Sequence, residues 1–282
     1  MPVSETNRFD AWTEDDILKE VRRIVGSHVV SSRLPVNVYE LSSYFGVQDI
    51  IGVHTACEGY IARSESGGLK ICYRIDRPYY RTRFTVAHEL GHVLFSNIIG
   101  TRLDDAVEDS AANAFEERVA NRIAAELLMP ISPFLKHFEG LTQYTSFVRR
   151  SITQLAGLFG VSRTATVLRL LEVPQTNSFL LEICRRAAKI DVKFRKTGDI
   201  SLRHSRNETA EELLRAKGNS AKHVDIMCDS ELFRLECDFF RYPNSSSNYR
   251  PIWWAVGWLP KYRRGQGTST HLTQWSNLQR GN

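Results

Sequence analysis

The sequence lacks the features that mark membrane and secreted proteins. It has no run of about 18 or more consecutive apolar residues, so no segment is predicted to span a bilayer. Its first residues, MPVSETNRFDAWTEDD, are polar and acidic, unlike a signal peptide. The five cysteines are scattered and form no C-x-x-C pair, which argues against a disulfide framework. We therefore expect reduced thiols, no membrane association and a cytoplasmic location.

The composition is that of an ordinary globular protein, but the charge is uneven. Hydrophobic residues make up 42% and charged residues 24% of the 282 residues, a length that suggests about two domains. The net charge is +5, and the excess lies after residue 172, where Lys and Arg outnumber Asp and Glu by 18 to 11. A basic C-terminal part can face nucleic acid or an acidic partner. A solvated basic surface is the simpler interpretation, and we favour it.

The clearest motif is H-E-x-x-H, formed by His88, Glu89 and His92 in the apolar segment RTRFTVAHELGHVLFSN. On a helix, residues four apart lie about 6 Å apart along the axis, so both imidazoles can bind one zinc ion. Zinc lowers the pKa of a bound water to about 7, and Glu89 can accept its proton. Gly91 is expected to leave open space between the histidines. The alternative is a pair of structural histidines beside an incidental glutamate.

A catalytic zinc needs a third protein ligand, and the next helix, FEERVANRIAAELLMP, offers one. Glu117 shares a helix face with Ala120, Asn121 and Ala124. Small residues on that face would let this helix approach the H-E-x-x-H helix closely. Asn121 is expected to hold the Glu117 carboxylate in place. Glu116 points about 100° away and is expected to be solvated. The alternative for Glu117 is an ordinary exposed helix acid.

Three segments resemble the ImmA/IrrE family of metallopeptidases: RFTVAHELGH, ERVANRIAAELLMP and LAGLFGVSRTATVLRL. The preceding LPVNVYELSSYFGV and GYIARSESGGLKICY also stand where that family has them, so the resemblance spans roughly residues 14–172. It implies a zincin-like fold, zinc held by His88, His92 and Glu117, and Glu89 as general base.

The resemblance also implies a biological role. Understood members of the family are site-specific proteases that cut a DNA-binding repressor, often a helix-turn-helix protein encoded nearby. Cleavage switches on genes for stress responses or mobile-element transfer. One departure is Ser96, which stands where many members have a histidine. We do not count that position as a ligand, so it does not put catalysis in doubt.

A segment from Leu155 to Leu170 has helix-turn-helix spacing around Gly160. Its second helix offers four polar residues as candidates for binding DNA or a partner: Arg163, Thr164, Thr166 and Arg169. The same segment can serve as scaffold or dock the protein substrate, and we favour that over direct DNA reading. Salt-dependent duplex binding would indicate DNA.

The expected fold class is α+β. Residues 13–25 predict a helix with Thr13 as its N-cap and acids in the first turn. Residues 34–47 predict an extended entry at Pro35 and then a short helix closed by Gly46, and 59–73 predict a hairpin around Ser-Gly-Gly. With the H-E-x-x-H helix they form a zincin-like metallopeptidase core with a small β-sheet, over residues 1–145. A helix-turn-helix-like helical segment follows at 146–173. Residues 174–282 form a strand-rich domain of unknown role, with sensing as one option; its predicted strands include KIDVKF, DISLRH, HVDIMC, LFRLECDFF and PIWWAVGWL.

Two functions fit these patterns. The first is a zinc endopeptidase that cleaves a regulatory protein. The second is a DNA-binding or sensory regulator whose metal site is structural or vestigial. Structural zinc sites are normally closed by four protein ligands, and these motifs supply three, which favours the enzyme.

Overall fold

The computed structural model describes residues 12–29, 33–101, 110–144, 148–176, 178–186, 189–196, 202–204, 222–228, 231–240 and 250–258. Over these residues the fold is α+β, with seven helices and a small three-stranded mixed sheet preceding a further set of strands. Within these residues, none of the helices has the length and apolarity that crossing a bilayer would require.

The part of the chain before residue 177 holds all the described helices. In chain order its elements are α1 (Glu14–Val29), α2 (Val38–Tyr44), β1 (Val47–Val53), β2 (Gly59–Arg63), β3 (Leu69–Arg74), α3 (Tyr79–Ile99), α4 (Ser110–Leu128), α5 (Ile131–Tyr144), α6 (Val148–Phe159) and α7 (Arg163–Glu172). A 3₁₀ turn follows at Pro174–Thr176.

The first helix begins at a reciprocal pair of hydrogen bonds. The Thr13 hydroxyl accepts from the Asp16 backbone N–H at 3.2 Å, and the Asp16 carboxylate accepts from the Thr13 N–H at 3.3 Å. Such a capping box satisfies N–H groups that a helix start otherwise leaves without partners. The apolar stripe of α1 is buried in the core: Ile17, Leu18, Val21 and Val25.

The small sheet has the strand order β1-β3-β2, with β1 parallel and β2 antiparallel to β3. The turn between β2 and β3 contains Gly67 at φ 85°, a conformation that glycine adopts readily. This confirms the predicted hairpin. The sheet lies against α3, and Ile71 of β3 is completely buried in the shared core.

Helices α3 and α4 pack closely along their lengths. On α4, Ala120 and Ala124 are fully buried, which confirms that small residues allow the close approach. Large apolar side chains of both helices are buried in the common hydrophobic core: Val86, Leu90, Val93, Leu94, Val119, Ile123 and Leu127.

A buried guanidinium links α3 to the turn between α6 and α7. Arg83 is 2% exposed and donates to the carbonyl oxygens of Val36 at 2.9 Å and Gly160 at 3.2 Å. Gly160 has φ 62°, and Ser162 then caps the start of α7, where its hydroxyl accepts from the Ala165 N–H. The predicted helix–turn–helix geometry around Gly160 is therefore present.

In the C-terminal region the described residues are strands. They are β4 (Ser178–Arg186), β5 (Lys189–Lys196), β6 (Leu202–His204), β7 (Lys222–Cys228), β8 (Glu231–Phe240) and β9 (Arg250–Trp258). Their order is β5-β4-β9-β8-β7-β6, and neighbours are antiparallel. The role of this region and the division of the chain into three domains stay predictions.

Candidate metal centre

Helices α3 and α4 bring His88, His92 and Glu117 together, with one ligand atom from each within 4.8 Å of the others. The two imidazole Nε2 atoms are 3.1 Å apart. The carboxylate oxygens of Glu117 lie 3.4 Å from Nε2 of His88 and 3.3 Å from Nε2 of His92. The H-E-x-x-H spacing therefore places both rings towards one point, and α4 supplies the carboxylate.

The size and chemistry of this cluster fit a divalent cation. Ligand atoms at about 2.0–2.1 Å from a tetrahedral zinc lie about 3.3–3.4 Å from one another, close to the three separations observed here. Two imidazole nitrogens with one carboxylate form a donor set that catalytic zinc sites use. The histidine side chains are 14–17% exposed, whereas that of Glu117 is 52% exposed, so the cluster opens to solvent on the α4 side.

Burial and neighbouring charges set the acidity of these groups. Burial, together with the adjacent His92, lowers the pKa of His88. For His92, burial acts in the same direction, but the carboxylates of Glu116, Glu117 and Glu89 together outweigh it and the pKa is raised. Burial raises the pKa of Glu89 to about 7. Burial thus shifts Glu89 towards its neutral, protonated form.

Glu89 lies on α3 with its side chain facing the start of β2. Its side chain is 8% exposed and is not one of the three that converge. A Cβ added to Gly59 would lie 3.0 Å from the Glu89 carboxylate oxygen and would overlap the methyl group of Thr85. The backbone of β2 therefore packs directly against this part of α3, and only glycine fits at that point.

Glu116 is the residue that our sequence reasoning placed wrongly. It was expected to be solvated, but its Oε1 lies 2.7 Å from Nδ1 of His92 and its side chain is 26% exposed. Neighbouring helix positions point about 100° apart, yet both acids contact His92 of α3. This is possible because an imidazole has a nitrogen on each side of its ring. Glu117 reaches Nε2 of His92 and Glu116 reaches Nδ1 of the same ring. The sequence signal that could have predicted this contact is the pair of adjacent acids, Glu116 and Glu117, on the helix that follows the two histidines.

Two further details differ from expectation. The Asn121 amide donates to the backbone carbonyl of Glu117 at 2.8 Å, so the predicted contact with the Glu117 carboxylate is wrong. Asn121 instead lies beside His88 and favours its charged form. Gly91 leaves no open space between the histidines, because it is buried against the backbone of α4.

The four candidate partner-binding residues of α7 divide into two groups. Thr166 is fully buried and donates to the Ser162 carbonyl at 3.1 Å. Arg169 is 4% exposed and pairs with Glu126 at 2.7 Å. Neither side chain is available to DNA or a partner in this fold, so that part of the prediction is wrong. Arg163 is exposed and Thr164 is half-buried.

Comparison with known proteins places this site in a family. Residues 64–171 match the IrrE N-terminal-like domain, Peptidase_M78, which contains all three converging residues. Among solved structures, a Mycobacterium tuberculosis transcriptional regulator is similar, with a TM-score of 0.52 and 17% sequence identity over 86% of this chain and 75% of that chain. At that identity the likeness concerns the fold alone. Among curated proteins, none matches significantly.

The family match covers α3 and α4, which form the cluster, and α6 and most of α7, which contact these helices through Arg83 and Arg169. A domain of this family, with two histidines and a glutamate converging in it, implies a metallopeptidase. Residues 64–171 therefore form an IrrE N-terminal-like domain of the ImmA/IrrE type.

Proposed function

We propose that this protein is a zinc-dependent, site-specific endopeptidase that cleaves a regulatory protein, a helix-turn-helix transcriptional repressor, and so derepresses genes. The convergence of His88, His92 and Glu117 on one point open to solvent carries this proposal. The nature of the substrate rests on family resemblance, and the choice of zinc rests on the donor set of two nitrogens and a carboxylate.

The residues divide the chemistry among themselves. A zinc ion held by the two histidines and Glu117 would polarise a peptide carbonyl and make water a stronger acid near neutral pH. Glu89 is adjacent to His88 in sequence but outside the converging trio, so its carboxylate remains free to act on protons. It accepts the proton of the attacking water and delivers it to the leaving nitrogen, as a general base and then acid.

The neighbourhood of Glu89 supports a polypeptide substrate. Among the described strands, β2 forms an edge of the small sheet, and its first residue, Gly59, packs against the Glu89 side chain. An edge strand can pair through its backbone groups with an extended peptide. A segment bound in this way would run alongside the general base.

The alternative is a DNA-binding or sensory regulator with a structural or vestigial metal site. Burial of Thr166 and Arg169 counts against DNA reading by α7. A structural zinc site is normally closed by four protein ligands, whereas the described residues supply three around an exposed Glu117 carboxylate. The enzyme therefore remains the better-supported function.

Co-expression tests the proposal. The full chain is expressed with the helix-turn-helix protein encoded beside it, as wild type, Glu89→Gln and Glu65→Gln. Glu65 is an exposed acid in the β2–β3 turn and serves as a matched control. We expect a shortened repressor with wild type and Glu65→Gln. Glu89→Gln should leave the repressor intact while elemental analysis finds the metal retained.

Two results would contradict the assignment. Cleavage by Glu89→Gln at the wild-type rate would show that Glu89 is not the general base. An intact repressor with metal-loaded wild type, together with salt-dependent binding to duplex DNA in a gel-shift assay, would favour the regulator.

A further inference from the structure

We propose that Glu116 is a positioning residue that fixes the ring of His92 for cation binding. This rests on the proposed metal site, but it concerns how the chain prepares that site and not what it cleaves. Glu116 contacts no cation ligand atom in this arrangement; it acts through the opposite nitrogen of the His92 ring.

The contact is short and specific. Oε1 of Glu116 lies 2.7 Å from Nδ1 of His92, within the range of charge-assisted hydrogen bonds. The Glu116 side chain is half as exposed as that of its neighbour Glu117, 26% against 52%. The pair therefore lies largely out of solvent, where such a bond is stronger than at an exposed surface.

The chemistry of the two partners fixes the tautomer of the ring. An ionised carboxylate only accepts hydrogen bonds, so Nδ1 of His92 must carry the proton. In the neutral imidazole this leaves the lone pair on Nε2. That Nε2 atom is the one that faces His88 and Glu117, so the contact with Glu116 presents the ligand atom where a cation would bind.

The other histidine has no carboxylate on the Nδ1 side of its ring among the described residues, which makes the effect specific to one ring. Nδ1 of His88 is buried and, among the described residues, has no hydrogen-bond partner. Its ring stacks on Phe84, with ring centroids 6.2 Å apart. Packing on Phe84 and the neighbouring Asn121 thus hold His88, whereas a carboxylate holds His92. Carboxylates behind metal-bound histidines typically raise metal affinity by about 10–100-fold.

The geometry also separates Glu116 from the role of a ligand. It lies on the Nδ1 side of the His92 ring, whereas Nε2 faces the converging group. A cation bound through Nε2 is therefore on the far side of the ring from Glu116. Glu117 is the acid that can share a cation with both histidines.

Zinc affinity and the state of the imidazole test this proposal. Purified full chains of wild type, Glu116→Gln, Glu116→Ala, Glu117→Ala and Glu65→Gln are titrated with zinc against a chromophoric chelator. We expect Glu65→Gln to match wild type and Glu116→Ala to bind about 10–100-fold more weakly. Glu116→Gln should fall between them, because its amide oxygen still accepts from Nδ1. Glu117→Ala should lose more affinity than either.

A spectroscopic readout distinguishes positioning from general destabilisation. Nitrogen-15 NMR of histidine-labelled chains should show His92 protonated at Nδ1 in wild type and a mixture of tautomers in Glu116→Ala, with thermal unfolding of the metal-free chains unchanged. Affinity of Glu116→Ala within twofold of wild type would overturn the proposal. So would loss of zinc in Glu116→Ala with full retention in Glu117→Ala, because Glu116 would then be the ligand. Neither readout requires peptide cleavage, so a failed repressor assay leaves this result standing.

Discussion

Gly91 of α3 packs directly against the backbone of Ala120 of α4. A Cβ placed on Gly91 would lie 2.8 Å from the Ala120 carbonyl oxygen and 3.2 Å from its Cα. Both residues are buried, and Glu117 lies one helical turn before Ala120. The absence of a side chain at Gly91 therefore sets the distance at which α4 presents the Glu117 carboxylate to the two histidines.

Replacing Gly91 with alanine should force the two helices apart. Overpacking of this kind typically costs about 1–3 kcal/mol in the free energy of unfolding. We also expect weaker zinc binding, because Glu117 would move away from His88 and His92. Urea unfolding and zinc titration measure the two effects.

Gly157→Ala is the matched control. Gly157 lies in α6, and a Cβ there meets nothing within 4 Å. Alanine should stabilise that helix, by up to about 1 kcal/mol, and leave zinc affinity unchanged. If Gly91→Ala equals wild type in both measurements, the close approach does not position Glu117.

Gly59→Ala should lower catalytic rate while metal content stays at the wild-type level. The added methyl group would press on Thr85 and on the Glu89 carboxylate, which is the proposed base and not a ligand. Cleavage assays and elemental analysis check the two halves of this prediction.

Thr85→Ser removes the methyl group that a Gly59 side chain would overlap. The double variant Gly59→Ala/Thr85→Ser should therefore recover part of the lost rate, and Thr85→Ser alone should behave like wild type. A Gly59→Ala protein that loses its metal would show that the strand supports the ligands and not Glu89 specifically.

A buried ion pair should make Glu126 important for stability. Its carboxylate lies 2.7 Å from Arg169 and 3.1 Å from Arg22, and both Glu126 and Arg169 are almost fully buried. Breaking a buried pair by neutralising one partner typically costs about 3–5 kcal/mol. We expect Glu126→Gln to reduce the free energy of unfolding accordingly in urea titrations. Glu20→Gln, in an exposed pair on α1, should have little effect.

The same pair predicts a pH dependence. Burial alone would raise the pKa of Glu126, but Arg169 and Arg22 outweigh it and the pKa is lowered. A folded-state pKa below the unfolded value, about 4.3 for a glutamate, stabilises the fold above that pH. This contribution is lost as the pH falls through the lowered folded-state pKa.

The stability difference between wild type and Glu126→Gln should therefore be constant near neutral pH and shrink below about pH 4. Urea unfolding between pH 3 and 7 measures it. A difference that stays the same down to pH 3 would mean that the charge of Glu126 does not contribute.

Sequence reasoning located elements that carry strong local signals. Thr13 with acids after it marked the start of α1, and Gly46 and Gly160 marked turns at positive φ. The H-E-x-x-H spacing predicted the convergence of two imidazoles because helix geometry alone determines it. The third converging residue, Glu117, was predicted from the small residues on its face of α4, because small residues indicate close helix packing.

Other features depend on tertiary contacts that no local pattern records. Strand β1 was missed because only its first residue is buried and it is defined by parallel pairing with a distant strand. Glu116 was misplaced because the rotation of α4 about its axis decides which ring nitrogen it meets. Arg169 looked like a surface residue of a recognition helix, but its partner Glu126 lies 43 residues earlier.

The buried Arg83 has a consequence for any shortened form of this protein. Its guanidinium satisfies carbonyl groups at the end of α6, far along the chain from α3. A truncated chain that stops after α5 would leave a permanent positive charge among apolar side chains, with water as its replacement partner. A shortened chain that keeps Arg83 satisfied must therefore extend at least to Gly160, even though His88, His92 and Glu117 all lie well before it.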